Sequence, residues 1–139
     1  MPQTVQEIMT TAPVKVGVQT SIAQVARRMR DEDIGAVLVA DDNALRGLVT
    51  DRDLVVRAPA DGKNPEQTTV TDVCSSQVVT ISPDHAVSTA VELMRKHSLR
   101  RLPVVRGGQP VGILSLGDLA IERDEHCALA DIIAAEPNT

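Results

Sequence analysis

Two stretches of the chain set a hydroxyl and a carboxylate three residues apart in the same frame: Gly47-Leu48-Val49-Thr50-Asp51-Arg52-Asp53 and Gly112-Ile113-Leu114-Ser115-Leu116-Gly117-Asp118. Two kinds of chemistry fit this spacing. In the first, the side chains serve only the backbone: Thr50 or Ser115 caps a helix, and the Asp three positions on bonds back to the cap. The glycine then permits close packing or an unusual backbone angle. In the second, the same helix start faces a ligand. Its free N–H groups and partial positive charge suit an anion such as phosphate. The hydroxyl can add a bond, and the carboxylate can accept from both hydroxyls of a ribose. One set of atoms can do both, capping when empty and binding when a ligand arrives.

Arg100 and Arg101 form a basic pair that can fork onto phosphate. They can equally stand solvated at a strand edge, or pair with Asp51 or Asp53. Arg52 can reach phosphate or face water, and Asp51 works against an anion nearby. No catalytic grouping is visible, because no nucleophile has a nearby base and no carboxylate pair is spaced as acid and base. His85, His97 and His126 share no metal-ligand spacing, and His97 reads as a cation at a helix C-terminus. Cys74 and Cys127 form no CxxC and read as reduced thiols. A disulfide between them would need a separation that sequence does not give.

The elements that must position these residues occur twice. A shift of 65 residues lays Val5 on Val70, Val14 on Val79, Met29 on Met94, Val39 on Val104, Gly47 on Gly112, Asp53 on Asp118 and Leu54 on Leu119, with no gap. Each copy starts with a short extended segment, Val14-Lys15-Val16 or Val79-Thr80-Ile81. A helix follows, with Ile22, Val25, Ala26 and Met29 behind a Ser21 cap, or Val87, Ala90, Val91 and Met94 after Pro83-Asp84. Then come an apolar strand, a tight reversal at Asp41-Asp42-Asn43 or Arg106-Gly107-Gly108, a second strand ending in the glycine motif, and a short helix from near Asp51 or Leu116. Residues 1–64 make one repeat with a breaker-rich linker (59–65), 65–124 make the second, and 125–139 make a C-terminal helix and tail. The fold class is α/β, two pseudo-symmetric βαββα repeats. Each has too little core to stand alone, so they are expected to pack face to face as one module.

Composition narrows the functions. The chain of 139 residues has no Phe, Tyr or Trp, so none of these rings is there to stack on a base, which counts against an aromatic platform for single-stranded nucleic acid. A formal net charge of −5 with no basic stripe argues against nucleic acid and anionic membranes as partners. No apolar run is long enough to span a bilayer, and the first residues lack the pattern of a signal peptide. The expected location is the cytoplasm.

The repeat, the twofold Gly-apolar-apolar-Thr/Ser-x-x-Asp motif and Arg100-Arg101-Leu102-Pro103-Val104 together resemble a tandem pair of CBS domains, the Bateman module, over roughly residues 5–123. Thr50-Asp51-Arg52-Asp53-Leu54 with Val55-Val56-Arg57 is especially similar to small stand-alone bacterial CBS-pair proteins, the hypoxia-induced mycobacterial type among them. That resemblance implies a cleft between repeats with two sites. The first would combine Thr50 and Asp53 with backbone near Val79, Thr80 and Ile81 around the base, and Arg100 and Arg101 at the phosphate. The second would combine Ser115 and Asp118 with backbone near Val14, Lys15 and Val16. In the second, the positions matching the arginine pair are Gly35 and Ala36, and only Lys15 partly replaces the lost charge, so the first ranks above it.

The function so implied is a non-enzymatic regulatory sensor with an adenine nucleotide or related adenosyl compound as its ligand. It would form a homodimer through helical faces and pass its state to a protein partner in trans. Two other functions fit the residues. One is a homodimeric interaction protein without nucleotide, in which the capping boxes suffice. The other is a thiol- or metal-responsive stress protein using Cys74, Cys127 and His126.

Overall fold

The computed structural model describes residues 3–75 and 78–123. The expected C-terminal helix over 125–135, with His126 and Cys127, lies outside the described residues. In chain order the elements are helix α1 (Val5–Ile8), strands β1 (Thr10–Thr11) and β2 (Lys15–Gly17), helix α2 (Ile22–Glu32), strands β3 (Ala36–Asp41) and β4 (Ala44–Thr50), and helix α3 (Asp51–Arg57). Single 3-10 turns follow at Pro59–Asp61 and Val70–Asp72. Helix α4 (Val87–His97), strands β5 (Arg101–Arg106) and β6 (Gln109–Ser115) and helix α5 (Leu116–Arg123) complete the series. The mixed α/β architecture with two βαββα repeats is therefore present as the sequence predicts.

Local chemistry explains the boundaries. Ser21 caps α2 by accepting from the Gln24 N–H, while Gln24 reaches back to the Ser21 N–H. The apolar stripe Ile22, Val25 and Met29 is buried. Helix α4 starts without a side-chain cap; instead its first amide, Val87 N, donates to Gln3 O at 3.0 Å. Both long helices end on a left-handed residue, Asp33 at φ 53° and Ser98 at φ 54°, short polar side chains that tolerate this conformation. Each hairpin turns on two left-handed residues, Asp42-Asn43 and Gly107-Gly108, the backbone that matches strand twist in a two-residue loop. Even the bulges repeat, between Val39 and Ala40 and between Val104 and Val105.

The two sheets have the same order. In one, β2 lies parallel to β3 and β3 antiparallel to β4, with Ser75 bridged to Leu48 at the edge. In the other, Ile81 bridges in parallel to Val104, β5 pairs with β6, and β1 pairs antiparallel with β6 through Thr10–Ile113 and Thr11–Gly112. The chain thereby forms two compact units, Pro13–Val78 and a second that joins Met1–Ala12 to Val79–Thr139. The opening segment of each sequence repeat is exchanged. Val5 is fully buried among Ile81, Ala90, Leu102 and Leu114, whereas Val70 and Val73 are fully buried among Val16, Val25, Val37 and Val49. Without rings, both cores are filled by Val, Ile, Leu and Ala, with Met29 and Met94 at matching places.

Candidate functional site

Both hydroxyl–carboxylate pairs fold as capping boxes. Thr50 is the N-cap of α3; its Oγ1 accepts from Asp53 N at 3.1 Å, and Asp53 Oδ2 accepts from Thr50 N at 2.9 Å. Ser115 and Asp118 repeat this at the start of α5, at 3.2 and 2.9 Å. Each helix starts here because the hydroxyl satisfies an amide that the first turn leaves unpaired. The boxes are partly buried, and the Asp53 side chain keeps 17% of its exposure. One carboxylate oxygen of each Asp is committed to the cap, which leaves Oδ1 as the acceptor a ligand could use.

The glycine ahead of each box has a steric reason. A Cβ on Gly47 would stand 2.8 Å from Cys74 Sγ and 2.8 Å from Ser75 O. On Gly112 it would stand 2.9 Å from Thr10 O and closer still to Met9 Sδ. Of the two roles open to these glycines, close packing holds: neither residue has a positive φ, and each gives way to the exchanged segment that crosses the strand.

The other residues expected at the sites fall in both units. In the contiguous unit, Lys15 and Val16 open β2, and Val14 O accepts from Leu38 N at 3.0 Å. Val16 is buried and Lys15 exposed. Both border an open groove of about 570 Å³, lined also by Thr20, Gln24 and Arg28. Arg28 pairs there with Glu32 at 2.6 Å and Arg27 with Glu66 at 2.5 Å. In the other unit, Val79 is half-buried, Thr80 exposed and Ile81 buried. Ile81 is held by its N–H to Pro103 O at 3.1 Å and by Val105 N to its carbonyl at 2.9 Å. Arg100 is exposed and its carbonyl accepts from Leu116 N at 2.8 Å. Arg101 stands directly across from Ser115 in the β5–β6 ladder, so the two share a sheet face. Within one unit, the basic pair thus adjoins the Ser115–Asp118 box. The equivalent neighbours of Thr50 are Gly35, which accepts from Asp51 N at 2.9 Å, and Ala36, which pairs with Thr50. Among the described residues neither Arg100 nor Arg101 enters an ion pair. Asp51 and Arg52 are exposed, and Asp51 Oδ1 accepts from Arg52 N at 2.8 Å.

Two residues near the first box carry contacts that sequence analysis did not assign. Arg57 Nε lies 3.7 Å from Asp53 Oδ1, and Arg57 Nη1 donates to Val73 O at 3.3 Å. The Asp53–Arg57 spacing of four on a short helix was a usable signal; the bond to Val73 had none. Cys74 lies against Gly47. Burial chiefly pushes its thiol up from the ordinary range, with the Asp53 charge adding to the shift and Arg57 opposing it. Among the described residues no group of three His, Cys, Asp or Glu side chains is placed to hold a metal ion, and no helix is long and apolar enough to cross a membrane.

Known proteins share this fold. The CBS domain family matches residues 5–59 and again 70–124. The CBS domain-containing protein YhcV of Bacillus subtilis is 37% identical over 119 residues, 86% of this chain and 84% of YhcV. Hypoxic response protein 1 of Mycobacterium tuberculosis is 31% identical over 124 residues, 88% of this chain and 87% of its own. A crystal structure of hypoxic response protein I, solved with two coordinated zinc ions, aligns at TM-score 0.78 and 30% identity over 86% of this chain and 98% of that one. The CBS domain pair of protein MJ0100, in complex with 5′-methylthioadenosine and S-adenosyl-L-methionine, aligns at TM-score 0.79 over 88% of this chain and 97% of that one; at 22% identity this is a likeness of fold. With the family matched twice, the chain belongs to the CBS-domain proteins as a tandem pair.

Proposed function

We propose that this protein is a non-enzymatic regulatory module whose ligand is an adenine-containing compound (AMP, ADP, ATP or a related adenosyl compound), with the Thr50–Asp53 box as its principal anchor. The observation that carries this reading is the state of Asp53. Its Oδ2 is spent on the Thr50 amide at 2.9 Å, while Oδ1 lies 3.7 Å from Arg57, beyond hydrogen-bond length. A carboxylate held at one oxygen and open at the other suits a ribose hydroxyl. The two adenosyl compounds held by the MJ0100 pair support the ligand class. Val79, Thr80 and Ile81 would hold the base and Arg100 and Arg101 the phosphate; Ser115, Asp118, Val14, Lys15 and Val16 would form the lesser site. The module would work as a homodimer and signal to a protein in trans, by binding its ligand more tightly in one arrangement than in another.

Calorimetry with AMP, ADP, ATP and S-adenosylmethionine tests this. Wild type should bind at least one of them, and Asp53→Ala should weaken that binding by about tenfold to a hundredfold, the worth of a hydrogen bond to a charged group. Lacking aromatic residues, the protein absorbs little in the near ultraviolet, so adenine retained through purification is directly visible. No binding of any of the four by wild type sinks the proposal.

A second assignment is favoured by the Arg101–Ser115 pairing. The phosphate would then sit at the Ser115–Asp118 box, and Asp118→Ala would weaken binding more than Asp53→Ala.

A further inference from the structure

Arg57 lies one turn beyond Asp53 on α3 and reaches two groups of different origin. Its Nε faces Asp53 Oδ1 at 3.7 Å, and its Nη1 donates to the Val73 carbonyl at 3.3 Å. Val73 is fully buried and ends the Val70–Asp72 turn, whose first amide is fixed to Thr20 O at 2.8 Å. One end of the guanidinium is therefore tied to a buried part of the core and the other faces the carboxylate. A planar fork of donors can serve both at once, whereas a single ammonium cannot do so in the same geometry. From the opposite side, Thr50 N holds Asp53 Oδ2 at 2.9 Å. The carboxylate is thus oriented from two sides without Oδ1 being saturated.

We propose that Arg57 is a positioning residue: it holds Asp53 in the orientation that leaves Oδ1 open, and it makes the two boxes unequal. Four residues beyond Asp118 the chain has Glu122. Opposite charges at that helical spacing stabilise and like charges oppose, and the sequence sets a cation four positions after Asp53 and an acid four positions after Asp118. This rests on the proposed reading of the Thr50–Asp53 box as a ligand anchor.

The test uses the full chain with Arg57→Gln, Arg57→Lys and Arg57→Glu, and two readouts. The first needs no ligand: hydrogen exchange of the Thr50 amide by NMR, with the amides of β3 as internal reference. Arg57→Gln should speed Thr50 exchange by about threefold to fivefold, the scale of a half-exposed ion pair, with β3 unchanged. Arg57→Lys should recover part of the protection, and Arg57→Glu should lose most. The second readout is affinity for AMP and S-adenosylmethionine, which should fall in the same order. Unchanged Thr50 exchange in all three variants overturns the proposal. So does equal acceleration in β3, which would make Arg57 a support of the whole unit instead. If wild type binds none of AMP, ADP, ATP and S-adenosylmethionine while Thr50 exchange follows the expected order, the positioning role stands and the ligand assignment fails.

Discussion

A single methyl group separates the native glycines from a clash. At Gly47 it would meet a thiol and a carbonyl, both at 2.8 Å, and the carbonyl belongs to Ser75, which is bridged to Leu48 and cannot withdraw. Gly47→Ala should therefore destabilise the protein by about 1–3 kcal/mol, the usual cost of overpacking. A lower urea midpoint at unchanged slope would show it. Gly112→Ala should cost a similar amount, because besides the flexible end of Met9 it meets the Thr10 carbonyl at 2.9 Å, held by the pairing of β1 with β6. An Ala at Gly47 as stable as wild type would mean that the segment at Cys74 and Ser75 moves freely. The same contact bears on Cys74, whose burial holds its thiol protonated beyond the ordinary range.

At the scale of elements, the exchanged segments divide what sequence shows from what it hides. The 65-residue shift exposes the pairs α2 with α4, β3 with β5, β4 with β6 and α3 with α5, because apolar spacing and turn chemistry are local. It locates both boxes too, since hydroxyl and carboxylate lie within one turn. It does not reveal that α1 packs on the core of Ile81 and Leu102, nor that Val70 and Val73 pack on that of Val16 and Val37. A buried valine fits either core, and nothing in its neighbours says which. Strand β1 has two residues, too few for any period to show. The bond from Arg57 to Val73 crosses sixteen positions and depends on that same exchange. The packing of α1 has a measurable consequence. Val5 is fully buried, so Val5→Ala should cost about 2 kcal/mol through lost burial and the cavity left behind. A loss within a few tenths of a kcal/mol, measured by denaturation, would show that α1 is an ornament and not part of the core.

For the whole molecule, the proposed homodimer draws on side chains that the fold leaves outside. Val55 on α3 is 66% exposed, Val56 50% and Leu116 on α5 52%. Apolar residues exposed singly are ordinary, whereas adjacent ones such as Val55 and Val56 can form part of a contact patch. Sedimentation should give a dimer for wild type, and Val55→Glu with Val56→Glu should convert it to a monomer with little change in secondary structure. A dimer that survives the double substitution places the interface elsewhere, and a monomeric wild type removes it.

The exchanged first segment also sets an order of events during synthesis. The unit Pro13–Val78 is contiguous and is complete while the second half is still unmade. The residues up to Ala12 are made before that unit yet find their partner after it, because Thr10 pairs with Ile113. Contacts so distant in sequence form slowly. In the interval, Val5 and the β1 edge stand open. On a message carrying several ribosomes, the β6 edge of another chain offers the same dock, and a swapped pair is the natural error of this topology.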